Sequence, residues 1–193
     1  MFLTEEDMLR HAVHIKMLEG NPSKEDLCKI LKESKDTDVL LEVGNTLLAQ
    51  DPSEDEMRTI IFRVEKLAGT TWEILKNQQT PPSDETIVHI LRHVKMLRNS
   101  VSFFAISKNL SATCLRAVLI YVPDFADLAC EELLAGSPST EDLTCVIETN
   151  ALYRIKAWLR LLQQNPSRQD ISFVRENIPS LKRRAELYIK KNF

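Results

Sequence analysis

A serine recurs along this chain at Ser23, Ser53, Ser83, Ser111, Ser139 and Ser167, spaced by 30, 30, 28, 28 and 28 residues. Proline precedes it at Pro22, Pro52, Pro82, Pro138 and Pro166, and acidic residues follow it in most copies. A period of this length in a helical pattern restricts the chain to a stacked array of helical hairpins.

Aligning the copies on the serine shows why. Four positions on stand Leu27, Met57, Ile87, Leu115, Leu143 and Ile171. Seven positions on stand Ile30, Ile60, Ile90, Val118, Val146 and Val174. Eight positions on, the residue is apolar in every copy except the last, where it is Arg175. Offsets of four, seven and eight share one helical face. The serine is expected to open that helix, because its hydroxyl can accept from a backbone N–H left without a partner in the first turn. Glu25, Asp26, Asp55, Glu56, Glu85, Glu141, Asp142 and Asp170 then oppose the positive end of the helix dipole.

A second stripe follows at offsets 14, 18 and 22. It includes Leu67, Thr71 and Leu75, then Leu97, Val101 and Ala105, and Leu41 in the first copy. Pro123 and Pro179 mark the turn inside a hairpin, and Gly20 and Gly136 read as left-handed helix ends. At the N-terminus, Thr4-Glu5-Glu6-Asp7 predicts a cap on a single helix running to about Leu18. The expected division is a half-repeat over 1–22 and repeats over 23–52, 53–82, 83–110, 111–138, 139–166 and 167–193.

The pattern is plainest in Phe125-Ala-Asp-Leu-Ala-Cys-Glu-Glu-Leu-Leu-Ala-Gly-Ser-Pro-Ser-Thr-Glu-Asp-Leu143. It resembles the short two-helix α-solenoid repeats of bacterial proteins, distantly similar to HEAT and TPR arrays. It lacks the Trp-Leu-Gly-Tyr pattern of a true TPR and the longer unit of a HEAT repeat. The resemblance implies an all-α fold, a right-handed α-solenoid of about six helical hairpins plus the half-repeat. It also implies a scaffold that binds protein or peptide partners along a groove.

Charge narrows the partners. Residues 1–82 hold 10 Lys/Arg and 16 Asp/Glu, whereas residues 167–193 hold 7 and 3. The acidic end is expected to repel nucleic acid. The cluster Lys182, Arg183, Arg184, Lys190 and Lys191 is either a solvated terminal face or a contact for an anionic partner. No apolar run approaches the roughly 20 residues of a membrane span. The acidic start argues against a secretory signal. Cys28, Cys114, Cys130 and Cys145 lack CxxC spacing and read as reduced thiols of a cytoplasmic protein.

Candidate chemistry is sparse. His89 and His93, four apart on one helix, are the sharpest zinc hypothesis, but the metalloprotease glutamate is absent, since Ile90 follows His89. They fall between apolar positions and are expected at the surface, as are His11 and His14. Four scattered glycines cannot build a phosphate loop, and no nucleophile elbow is present. The expectation is therefore a protein without cofactor or catalytic activity of its own. The alternatives are nucleic-acid binding through the basic end, or a small metal- or cofactor-handling enzyme. Trp72 and Trp158 share an offset and either flank a ligand groove or fill gaps between hairpins. With Phe62 and Ile120, apolar at an otherwise charged position, and Arg92, they form the candidate contact set.

Overall fold

The computed structural model of the protein describes residues 5–20 and 22–193. Among these residues there are thirteen α-helices and no strand. They are α1 (Glu5–Glu19), α2 (Lys24–Glu33), α3 (Thr37–Leu48), α4 (Glu54–Arg63), α5 (Glu65–Lys76), α6 (Asp84–His93) and α7 (Arg98–Ser107). After them come α8 (Ala112–Tyr121), α9 (Ala126–Ala135), α10 (Thr140–Thr149), α11 (Arg154–Gln163), α12 (Arg168–Asn177) and α13 (Lys182–Asn192). The predicted cap at Thr4 lies outside the described residues.

The chain forms two compact units, the first ending at Thr86 and the second running from Ile87 to Phe193, so α6 crosses the division. In the first unit, α2 pairs with α3 and α4 with α5; α2 also packs on α4, α3 on α5, and α1 on α3. In the second, the pairs are α8–α9, α10–α11 and α12–α13; α8, α10 and α12 contact one another in series, and α7 packs on α9. Most of these helices have only ten to twelve residues, too short to persist alone in water. Their stability comes from shared burial, about 1.5–3 kcal/mol for each fully buried aliphatic side chain.

The six serines sit where the period puts them. Each hydroxyl accepts from the backbone N–H three residues on, at 3.2–3.4 Å. In four copies the third residue returns a carboxylate to the serine N–H, completing a capping box: Asp26, Glu56, Asp142 and Asp170. At Ser83 the third residue is Thr86, and the carboxylate comes instead from Glu54 of the preceding repeat, which accepts from the Ser83 N–H at 2.9 Å. Cations tie neighbouring first helices together at the same level: Lys24 with Glu56 at 2.9 Å, Arg58 with Glu85 at 3.0 Å, and Arg116 with Asp142.

The first-helix stripe is buried in every copy, and Arg175 at the one polar position is half-buried beside Glu176. The hairpin corner is a single residue eleven positions after the serine. Val64, Val94, Val122, Asn150 and Ile178 all have φ between −135° and −108° and ψ between 80° and 107°. Four of the five are β-branched, which suits that conformation. Pro123 and Pro179 then open 3-10 turns, as their positions predict.

Two expectations are corrected. The left-handed corners between repeats are not glycines: Gly136 has φ −77° and ψ −153°, and Gly20 is not left-handed either. The corner residues are Asp51 (φ 52°), Asn109 (φ 48°) and Asn165 (φ 51°), each two positions before its serine. Asn and Asp tolerate this region because their short polar side chains bond locally. In the first repeat the second helix is shifted by two residues. Asp36 caps α3 by accepting from Asp38 and Val39, so Val39, Val43 and Leu47 are buried and Leu41 is only half-buried. Gly44 permits the close approach of α3 to α5, since a Cβ there would lie 2.7 Å from Leu67 Cδ1.

Candidate binding surface

The buried face of each second helix is set by the repeat, and the opposite face is free to vary. Its outward positions fall 13, 16, 17 and 20 residues after the serine, the spacing of one exposed helical face. In the second unit these positions change character from one helix to the next. Just before and on α9 they are Asp124, Asp127, Leu128 and Glu131, all exposed. Beside and on α11 they are Leu152, Ile155, Lys156 and Leu159, with the three apolar residues 74%, 43% and 53% exposed. On α13, Arg183, Arg184 and Leu187 are exposed, and Lys190 and Lys191 continue the face. On and just before α7 the exposed apolar residues are Met96 and Phe103.

The three helices α9, α11 and α13 are locked side by side. Tyr153 donates its hydroxyl to Glu131 at 2.6 Å, Asn150 donates to Asp127 at 2.8 Å, and Arg160 donates to the Leu134 carbonyl. The bond to Glu131 pushes the Tyr153 phenol up to about 12. On the other side, the Trp158 and Tyr188 rings meet edge to face at 6.5 Å, and Arg154 donates to Ser180. Arg154 also caps α10 through the Ile147 carbonyl at 2.7 Å. Arg98 does the same for α6 through the Leu91 carbonyl at 2.7 Å. An apolar strip on α11 thus runs between an acidic border on α9 and a basic border on α13.

The residues singled out from sequence are placed differently. Trp72 and Trp158 are 1% and 2% exposed. The matching offset reflects gap-filling in the second-helix layer, and neither indole offers a surface to a partner. Phe62 is half-buried and belongs, with Trp72, to the first unit. Ile120 and Arg92 are exposed on first helices of the second unit. Lys182, Arg183, Arg184, Lys190 and Lys191 are all exposed on α13. Sequence reasoning missed Leu152, Ile155 and Leu159; their signal was an apolar i, i+3, i+7 strip off the buried stripe, at offsets that are polar in the second and fourth repeats and partly apolar in the third and last.

The histidines divide. His89 and His93 are exposed, with ring centroids 4.7 Å apart. Contrary to expectation, His14 is buried, and His11 is half-buried with Nδ1 3.3 Å from Asp36. Among the described residues no group of three or more His, Cys, Asp or Glu is placed to hold a metal. Burial pushes the Cys130 thiol to about 12 and the Cys145 thiol to about 11, so neither is a ready nucleophile. In the first unit a groove of about 270 Å³ opens beside α1 and α2, lined by Leu9, Val13, His14, Met17 and Ile30.

Comparison of the chain with protein-family models, curated proteins and solved structures gave no match. Among the described residues no helix is long and apolar enough to cross a membrane.

Proposed function

We propose that this protein is a protein- or peptide-binding module without catalysis of its own. In this reading it is built as a right-handed α-solenoid of about six hairpins behind an N-terminal half-repeat. One observation carries the reading: Leu152 just before α11, with Ile155 and Leu159 on it, forms an exposed apolar strip beside a helix whose opposite face is already buried. Exposed apolar patches rimmed by polar residues mark interaction sites. Second-helix outer positions carry no repeat constraint, so they are where a repeat scaffold can acquire a partner. The carboxylates of α9 beside the strip favour a polypeptide over nucleic acid.

The test is chemical cross-linking in the source cells with three baits: the wild-type chain, Ile155→Glu/Leu159→Glu, and Thr70→Glu on the first unit's polar face. The expected result is a partner retained by the wild type and by Thr70→Glu and lost with the double variant. Recovery of the same proteins by all three baits removes α11 as the binding surface.

A further inference from the structure

The borders of the α11 strip say what kind of polypeptide it suits, and this inference rests on the protein-binding function proposed above. Leu152, Ile155 and Leu159 recur at intervals of three and four, the spacing by which one helix lies against another. Ile155 and Leu159 lie one turn apart on α11, about 6 Å at 1.5 Å per residue, and Leu152 stands in the turn just before the helix.

The two sides of the strip differ in sign. Toward α9 stand Asp124, Asp127 and Glu131, the latter two held at the border by the bonds from Asn150 and Tyr153. Toward α13, Leu187 is framed by Arg183 and Arg184 one turn before it and by Lys190 and Lys191 one turn after. The first-helix cations Lys24, Arg58 and Arg116 are engaged by capping-turn carboxylates. Arg183, Arg184, Lys190 and Lys191 have no ion pair among the described residues, so their charge is available to a partner.

We infer that this surface takes an amphipathic α-helix of a partner polypeptide. Its apolar strip lies on Leu152, Ile155 and Leu159, its acidic flank turns to α13, and its basic flank turns to α9. An anionic membrane fits less well, because a bilayer presents one sign of charge and would meet the α9 carboxylates unfavourably. Opposite charges on the two flanks fix register and orientation and set the encounter rate.

The probes are synthetic helices of about 18 residues sharing one leucine strip, with Glu on one flank and Lys on the other, Glu on both, or Gln on both. Binding to the full chain is read by fluorescence anisotropy at low and high salt. The split-charge helix is expected to bind about tenfold tighter than the Gln helix and more tightly than the all-Glu helix. Arg183→Glu/Arg184→Glu should erase that preference, and Leu159→Glu should weaken every helix about a hundredfold. Both variants change exposed residues, and circular dichroism is the check that they fold.

Equal binding of the three helices, still lost with Leu159→Glu, overturns the charge assignment and leaves the protein-binding reading standing. Failure of all three to bind at about 100 μM overturns the helix proposal, while the cross-linking comparison judges the wider function separately. Two further outcomes also overturn the proposal in favour of other occupants. One is co-sedimentation with phosphatidylcholine/phosphatidylserine vesicles that Leu159→Glu abolishes. The other is a concentration-dependent dimer lost with the same substitution.

Discussion

In the first unit the outward positions of the second helices are mostly polar: Asp38, Glu42 and Asn45 with half-buried Leu41 on α3, and Lys66, Thr70 and Glu73 with Gly69 on α5. In the second unit the corresponding positions are apolar at Met96 and Phe103 beside and on α7, chiefly acidic around α9, chiefly apolar around α11 apart from Lys156, and chiefly basic on α13 apart from Leu187. The inner faces do not differ in this way. Leu67, Thr71 and Leu75 of α5 and Ala157 and Leu161 of α11 are buried alike at shared offsets. Total charge follows the outer faces: residues 1–86 hold 10 Lys/Arg and 18 Asp/Glu, and residues 87–193 hold 15 and 10. One buried pattern therefore supports two kinds of surface. Packing against a neighbour constrains the inside of each hairpin and leaves the outside to other demands.

Paired substitutions, one in each unit, put pressure on that contrast. The largest effect is expected inside. Trp72→Ala and Trp158→Ala should each cost about 3–5 kcal/mol, because both indoles are buried. Urea unfolding monitored by circular dichroism reads this, and a loss below about 1 kcal/mol in either would return that indole to the list of surface contacts.

Next come the helix starts. Ser53→Ala and Ser139→Ala each remove a capping box and should cost about 1 kcal/mol. Unequal costs would mean that the two units depend differently on the repeated serine.

Acid should weaken the first unit through Glu56. Burial opposes its ionisation, but bonds from the Ser53 N–H, Lys24 and the Ser53 hydroxyl outweigh this and hold its carboxyl at about 2 instead of the ordinary 4.5. A depressed folded value means that the contribution is complete above about pH 4.5 and is lost as pH falls through about 2. In the second unit Asp142 is likewise held below its ordinary 3.8, burial again being outweighed by bonds from Ser139 and Arg116. Stability measured from pH 5 to pH 2 should decline, and Glu56→Gln should flatten part of the decline.

The smallest effect on stability is expected outside. Thr70→Glu in the first unit and Leu159→Glu in the second should each stay within about 0.5 kcal/mol of the wild type, as exposed substitutions usually do. Thermal unfolding checks this. A large loss at Leu159 would show that the strip is part of the fold and not a surface awaiting a partner.

Much of the scaffold was legible along the chain. The six capping serines, the buried first-helix stripe, the turns at Pro123 and Pro179 and the exposed pair His89 and His93 all follow from rules that act within a turn or two of helix. The left-handed corners carry a signal too, the Asp or Asn two positions before Ser53, Ser111 and Ser167, which competes with the stronger left-handed preference of nearby glycines. The shift of α3 was hidden because two extra residues in a 30-residue repeat can enter at either turn. In the first repeat they precede the cap at Asp36.

The candidate surface was the least legible part. Trp72 and Trp158 share an offset that suits packing and recognition equally well, and only the burial of the indoles separates the two. The opposite borders of the strip needed α9, α11 and α13 side by side, residues 28 apart in sequence brought together by Tyr153, Asn150 and Trp158.

By itself the amino-acid order determined where helices begin and which stripe of each is hidden, because capping and amphipathic spacing are settled within a single turn or two. Which residues face outward beside which others, and with what charge, was decided only when the helices packed. That depends on contacts between separate repeats, which no local spacing encodes.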